Sequence, residues 1–161
     1  PAFELVDHNG AGFTNENFSG VWTLVYFGYS YCPDICPTTL ASLGSVQSAL
    51  AESGEDGDTA YVFISVDPTR DTPERLATYA PHFSEHMLGV TGEQQQIKTL
   101  SQALGIVYLR VGDDPDDYLM DHSSAVLAIN PAGQLQAVLT APHTTEQLLR
   151  DFTRVRDHYQ G

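Results

Sequence analysis

The distribution of apolar and polar residues along the chain predicts a series of buried strands. Near-continuous apolar runs at 21–29 (VWTLVYFGY) and 60–66 (AYVFISV) are typical of strands buried on both faces. Ahead of them, 3–10 and 12–20 have the composition of two short strands joined by a turn at Asn9-Gly10. Further strands are predicted at 88–92, where a loop is the alternative, and at 106–112, 123–129 and 134–140.

Helices are predicted between these strands, where apolar residues recur every three or four positions. The three long helices cover 37–53, 93–105 and 144–159. A fourth is expected after the strand at 60–66, because Asp71 or Thr72 can cap it and Pro73 suits a first helical turn.

The resulting order, β-β-β-α-β-α-(β)-α-β-β-β-α, predicts an α/β protein with one central sheet covered by helices. A turn at 130–133 (NPAG) adds a closing hairpin near the end of the chain. The length of 161 residues suits one domain, and no repeat or linker divides the sequence. We therefore expect a single domain over 1–161.

Charge restricts the kinds of partner that this domain can have. Seven Lys and Arg residues stand against 21 Asp and Glu, which gives a formal net charge of −14. Such a surface repels phosphate backbones and anionic headgroups, so nucleic-acid binding is not expected. Acidic runs at 52–58 and 112–117 are rich in Gly, Pro or Ser and predict solvated loops. No apolar run reaches the roughly 18 residues of a membrane span, and no signal-peptide pattern opens the sequence.

Both cysteines, Cys32 and Cys36, fall in the stretch GYSYCPDICPTTL between a buried strand and a helix. Sites in α/β sheets form at the carboxyl ends of central strands, and a following helix N-terminus can stabilise a thiolate. Each cysteine precedes a proline, Pro33 or Pro37, and the residue before a proline is disfavoured in the helical conformation. We therefore expect neither cysteine inside the helix, and a turn that brings the two sulfurs together.

A structural disulfide, a redox dithiol and part of a metal site are the three interpretations of this pair. A domain of this length needs no covalent staple, and so short a loop gains little from one. The strand-to-helix position favours a thioredoxin-like redox pair, although three residues rather than two separate the cysteines. A metal site would need at least one further ligand.

The six histidines supply the candidates for that ligand. Surface roles are predicted for three of them, His8, His143 and His158. His82 and His86 are four residues apart and would share one face of a helix. His122 follows an acidic loop and precedes the strand predicted at 123–129, so it could lie beside the cysteines.

A resemblance to the Sco/SenC family of copper metallochaperones is carried by four segments, VYFGYSYCPDICPTTL, FISVDPTRDTPERLATYA, GVTG and YLMDHSSAVLAINPAG. It runs from FELVDHNG to the last helix. The resemblance implies a thioredoxin-like fold with an added N-terminal β-hairpin. It also implies one copper ion, Cu(I) or Cu(II), bound by Cys32, Cys36 and His122. The acidic neighbour Asp121 is available to orient the imidazole or to moderate the positive charge, and an ordinary loop carboxylate is the alternative.

The resemblance further implies that the protein helps to build the binuclear copper centre of cytochrome c oxidase subunit II, with other copper chaperones as further partners. Family members usually carry an N-terminal membrane anchor, on the periplasmic side of the bacterial inner membrane or in the mitochondrial intermembrane space. The sequence contains no such anchor, so we expect the soluble, monomeric, extracytoplasmic domain of an anchored protein.

The alternative function is a thiol–disulfide reductase that uses Cys32 and Cys36 to keep partner cysteines reduced for metallation. Thioredoxin-like oxidoreductases place a cis-proline opposite the dithiol, whereas 120–123 reads MDHS and contains no proline. A peroxiredoxin-type peroxidase is disfavoured, because that chemistry needs a proline and a threonine just before the reactive cysteine. In this chain Pro37, Thr38 and Thr39 follow the cysteines instead. The segment SVDPTRDTP is interpreted as scaffold, with a partner-facing surface as the alternative, and Arg70 is expected to pair with Asp67 or Asp71.

Overall fold

The computed structural model describes residues 3–30, 35–52, 59–84, 86–106, 108–111, 119–122, 125–139 and 144–160. Within these ranges, only the backbone is described for 35–38, 108–111, 119–122 and 160. Cys32 and the acidic loop predicted at 112–117 lie outside the described residues.

A seven-stranded sheet forms the centre of the molecule, in the order β2-β1-β5-β4-β3-β8-β9, and β6 and β7 form a separate antiparallel pair. The strands are β1 Glu4–Asp7, β2 Gly12–Thr14, β3 Trp22–Gly28, β4 Thr59–Ser65, β5 Met87–Thr91, β6 Tyr108–Val111, β7 Leu119–His122, β8 Val126–Ile129 and β9 Leu135–Leu139. Strands β3, β4 and β5 are parallel to one another, while β8 pairs antiparallel with β3. The predicted α/β class is confirmed.

In the described part of the chain, four α-helices cover this sheet: α1 Ile35–Glu52, α2 Pro73–Tyr79, α3 Gln94–Ala103 and α4 Thr145–Gln160. Thr72 caps α2 and Pro73 occupies its first turn, as predicted. Helices α1 and α4 contact each other, and α4 also reaches β3, where the rings of Trp22 and Phe152 lie 5.8 Å apart edge to face. No described helix is long and apolar enough to cross a membrane.

Buried apolar residues are concentrated on the central strands. All seven residues of β3 are buried, which matches the unbroken apolar run that predicted it. The two short N-terminal strands pair antiparallel, as the turn at Asn9-Gly10 predicted, and the Gly10 amide donates to the Asp7 carbonyl. The second of them ends at Thr14, because Thr14 and Asn17 form a capping box that begins a 3-10 turn over Asn15–Phe18.

The prediction that neither cysteine lies in a helix is wrong for Cys36, which is the second residue of α1. Pro37 follows it as the third residue of the helix. Proline is tolerated there because the amides of a first turn have no intrahelical acceptor, so the steric effect on Cys36 is outweighed. Helix α1 therefore starts two residues before the predicted position.

Strand β7 was not predicted, and its presence changes the expected position of His122. The histidine is the last residue of β7, paired with Tyr108 of β6, rather than the residue that opens the following strand. That following strand, β8, begins only at Val126. A four-residue strand next to an acidic run has too few apolar positions to give a periodic signal.

A close approach between α1 and the turn that follows α2 depends on Gly44. A Cβ atom at Gly44 would lie 2.2 Å from the Phe83 carbonyl oxygen, well inside van der Waals contact. Because backbone must then move, Gly44→Ala is expected to destabilise the protein by about 1–3 kcal/mol, despite the better helix propensity of alanine. Denaturant unfolding measures this change, with Ser48→Ala on the exposed face of α1 as a near-neutral control. Equal stability of the two variants would contradict the packing described.

Candidate functional site

Two of the three predicted copper ligands lie on elements linked to β3, one along the chain and one in space. Helix α1, with Cys36 in its first turn, follows β3 along the chain. Strand β7, which ends at His122, contacts β3 in space. The structure describes only the backbone of Cys36 and His122, and Cys32 lies outside the described residues. The three-ligand site therefore stays a prediction.

The histidines whose side chains are described do not form a competing site. His82 ends a 3-10 turn over Ala80–His82 and His86 lies just before β5, so the two do not share a helical face as hypothesised. His158 is exposed on α4, as predicted. His8 is half-buried, and its Nδ1 accepts a hydrogen bond of 2.9 Å from the Gly89 amide. His143 is outside the described residues.

No group of three His, Cys, Asp or Glu side chains in the described part of the chain could hold a metal ion. The donor set of Cys32, Cys36 and His122 fits copper by its chemistry, because thiolates suit Cu(I) and imidazole suits copper in either oxidation state. Of these three, Cys36 and His122 belong to described elements, the helix that follows β3 along the chain and a strand that contacts β3.

Beside the start of the cysteine segment, the structure contains a buried carboxylate, Asp71, which is fully inaccessible to solvent. Its Oδ2 accepts from the Ser30 amide at 2.9 Å and from the Ser65 hydroxyl at 2.6 Å, and its Oδ1 accepts from the Ser30 hydroxyl. Arg75 adds a positive charge, since its Nε lies 3.7 Å from Asp71 Oδ1 and donates to Ser30 Oγ at 2.5 Å. These donors offset the cost of burying the charge.

A second ion pair lies next to this carboxylate. Arg70 Nε donates to Asp67 Oδ2 at 2.6 Å. Of the two aspartates predicted to pair with Arg70, Asp67 therefore does so. The Arg70 guanidinium carbon also lies 5.7 Å from the centre of the Tyr29 ring, within cation–π range. Tyr29 and Ser30 directly precede the cysteine segment. The segment SVDPTRDTP therefore contacts both of these residues, through Arg70 and Asp71.

The role of Ser30, Asp71 and Arg75 was missed by reasoning from sequence. Ser30 and Asp71 are 41 residues apart, so no local pattern joins them. The available signal was the second aspartate of SVDPTRDTP. Because Thr72 already caps α2, an acidic residue just before the cap is free to bond elsewhere.

The sequence of this chain matches a known protein family. The SCO1/SenC family model matches residues 1–157. An SCO2-like protein of Rickettsia conorii is 41% identical over 134 residues, which are 82% of this chain and 64% of that protein. The chain thus spans about two thirds of that relative's length.

Solved structures agree with the sequence match. Arabidopsis thaliana ScoI with copper bound has a TM-score of 0.91 and 31% identity, covering 99% of this chain and 98% of that one. Yeast Sco1 with copper bound has a TM-score of 0.87 and 30% identity, covering 96% of this chain and 86% of that one. These neighbours have the thioredoxin-like fold, which confirms the fold class that the resemblance implied. From its sequence match and its fold, the chain belongs to the SCO1/SenC family.

Proposed function

We propose that this protein is a copper metallochaperone that binds one copper ion through Cys32, Cys36 and His122. The proposal is supported by the positions of Cys36, in the helix that follows β3 along the chain, and of His122, at the end of a strand that contacts β3. The solved relatives of the chain bind copper. Copper is the cargo of such a protein, so the ligands must hold it tightly and still release it to a partner.

The donor set suits both requirements. Two thiolates and one imidazole satisfy Cu(I) with three ligands and leave an approach open to an incoming donor. Transfer then proceeds by ligand exchange, in which each donor of this chain is replaced by a donor of the partner and no electron moves. The thiols must be reduced beforehand, because a Cys32–Cys36 disulfide removes both sulfur ligands.

The partner proposed is cytochrome c oxidase subunit II, whose binuclear copper centre this protein would help to assemble outside the cytoplasm. The support for this target is membership of the SCO1/SenC family. The periplasm of a bacterium or the mitochondrial intermembrane space is the matching location.

Anaerobic titration with Cu(I) tests the proposal. Reduced protein is expected to bind one copper per chain, whereas protein with both cysteines oxidised is expected to bind none at the same concentration. A chelator of known affinity sets the free copper level, and alkylated protein serves as the control for adventitious sites. Equal binding by the reduced and alkylated forms would rule out a thiolate site.

A thiol–disulfide reductase is the second candidate, favoured by two cysteines at a strand-to-helix junction of a thioredoxin-like fold. In that reaction the two thiols would lose two protons and two electrons to a partner disulfide and form their own disulfide. Turnover of a disulfide peptide separates the candidates. Strong activity that persists in His122→Ala would favour the reductase.

The acidic run at 112–117 is expected to affect encounter with the partner and not copper affinity. Neutralising it is expected to leave copper binding almost unchanged and to slow association, because the charges of a loop predicted to be solvated act over long distances on the approach of a partner. The variant replaces Asp113, Asp114, Asp116 and Asp117 with asparagine. Stopped-flow association at low and high salt measures the effect, which salt should reduce. A large loss of copper affinity would instead assign the run to the metal site.

A further inference from the structure

We propose that Asp71 is a positioning residue for the copper site, which acts by fixing the backbone of Ser30. This inference rests on the proposed function, since it assigns a role toward the same ligands. Ser30 is the last described residue before the cysteine segment, and Cys32 follows it by two positions. Asp71 itself is not proposed as a ligand.

The geometry gives Asp71 two separate bonds to Ser30. One goes to the backbone amide at 2.9 Å and fixes the peptide plane, while the other goes to the hydroxyl and fixes the side chain. Both groups are buried, with Ser30 only 8% exposed and Asp71 0%. Hydrogen bonds shielded from solvent in this way are strong. Loss of the Asp71 carboxylate would leave the buried Ser30 amide without its acceptor.

Helix capping does not explain why a charge is buried at this position. The hydroxyl of Thr72 already accepts from the Arg75 amide at 3.2 Å and caps α2. All three hydrogen bonds to the Asp71 carboxylate instead come from residues at the ends of β3 and β4, namely Ser30 and Ser65. The carboxylate therefore joins the carboxyl ends of two central strands, β3 and β4, at the point where the cysteine segment begins.

The Arg75 side chain adds a connection from α2 to the same point. Its Nε donates to Ser30 Oγ, so the Ser30 hydroxyl both donates to Asp71 and accepts from Arg75. A hydroxyl with both roles filled has one preferred orientation. This arrangement sets the direction in which the chain leaves β3 before copper arrives, and preorganisation of that kind reduces the cost of ordering the ligands on binding.

The test compares Asp71→Ala, Asp71→Asn and a stability control, Ile97→Ala. Ile97 is fully buried in α3, which packs against β1, three strands away from β3. Asparagine keeps one oxygen that can accept from the Ser30 amide, whereas alanine keeps none. Copper affinity is measured by anaerobic chelator competition, thermal unfolding is followed in parallel, and the visible absorption of the Cu(II) form reports the ligand geometry.

Asp71→Ala is expected to weaken copper binding by about 10- to 100-fold, the range found when residues that orient metal ligands are removed. Asp71→Asn should fall between it and the wild type and should remain folded if the alanine variant does not. Both should shift the Cu(II) absorption bands. Ile97→Ala should lose thermal stability with affinity and spectrum unchanged. Wild-type affinity and spectrum in a folded Asp71 variant would overturn the proposal, as would equal losses in Ile97→Ala.

A copper-free readout separates this inference from the proposed function. The equilibrium between the Cys32–Cys36 dithiol and its disulfide is measured against dithiothreitol for the same variants. If Asp71 orients the segment, its replacement disfavours disulfide closure relative to the wild type, while Ile97→Ala leaves the equilibrium unchanged. Should the wild type bind no copper, the proposed function fails, and this equilibrium alone decides the role of Asp71. An unchanged equilibrium would then reject it.

Discussion

Cys36→Ser is expected to lower the affinity for Cu(I) by more than about 100-fold, since removal of a residue that merely orients a ligand already costs about 10- to 100-fold. Serine has nearly the same size, but its neutral hydroxyl is a hard donor that does not replace a thiolate on Cu(I). The first turn of α1 tolerates serine, so the fold should be retained. Chelator competition under anaerobic conditions measures the affinity, and circular dichroism checks the fold.

A change at an unrelated polar position provides the control for Cys36→Ser. Ser48 is exposed on the same helix, so Ser48→Ala should bind copper as the wild type does. Retention of tight, one-to-one Cu(I) binding by folded Cys36→Ser would remove Cys36 from the site. Cys32 would then hold copper with His122 or with a ligand other than those predicted.

His122→Ala is expected to reduce copper affinity by at least about 100-fold on the same reasoning, and to alter the Cu(II) spectrum more than any other histidine substitution. The effect follows from the position of His122 at the end of β7, a strand that contacts β3. A distant ligand of this kind closes the site only in the folded protein, so unfolding should release copper.

Two other histidines serve as matched controls for His122→Ala. His82 and His158 are both exposed, and they lie in the 3-10 turn Ala80–His82 and in α4 rather than in β7. His82→Ala and His158→Ala should therefore bind copper as the wild type does. Unchanged affinity in His122→Ala would leave a site of two cysteines or a different third ligand. A loss in His82→Ala would point to the histidine pair that the geometry disfavours.

The central sheet could be predicted because its strands carry their own signal. Strand β3 is a continuous run of buried residues, and its length and composition identify it without any knowledge of its neighbours. Thr72 and Pro73 likewise define the start of α2 through local capping chemistry. Where the determinants of an element are local, sequence and structure agree.

The features that sequence missed depend on contacts between distant residues. Strand β7 exists through its pairing with β6, and its four residues are too few for a periodic pattern. The start of α1 depends on whether the first helical turn tolerates Pro37 at its third position. The presence of the prolines in the sequence did not decide this. The bonds between Asp71 and Ser30 join positions 41 residues apart, so only the fold reveals them.

X-ray absorption spectroscopy of the Cu(I)-loaded protein tests the central claim most directly, because it counts the atoms bound to copper. A single ion held by Cys32, Cys36 and His122 predicts two sulfur neighbours and one nitrogen neighbour in the wild type. In His122→Ala the nitrogen should disappear while both sulfurs remain. A wild-type copper with sulfur neighbours only, or with the same nitrogen in His122→Ala, would contradict the three-ligand site.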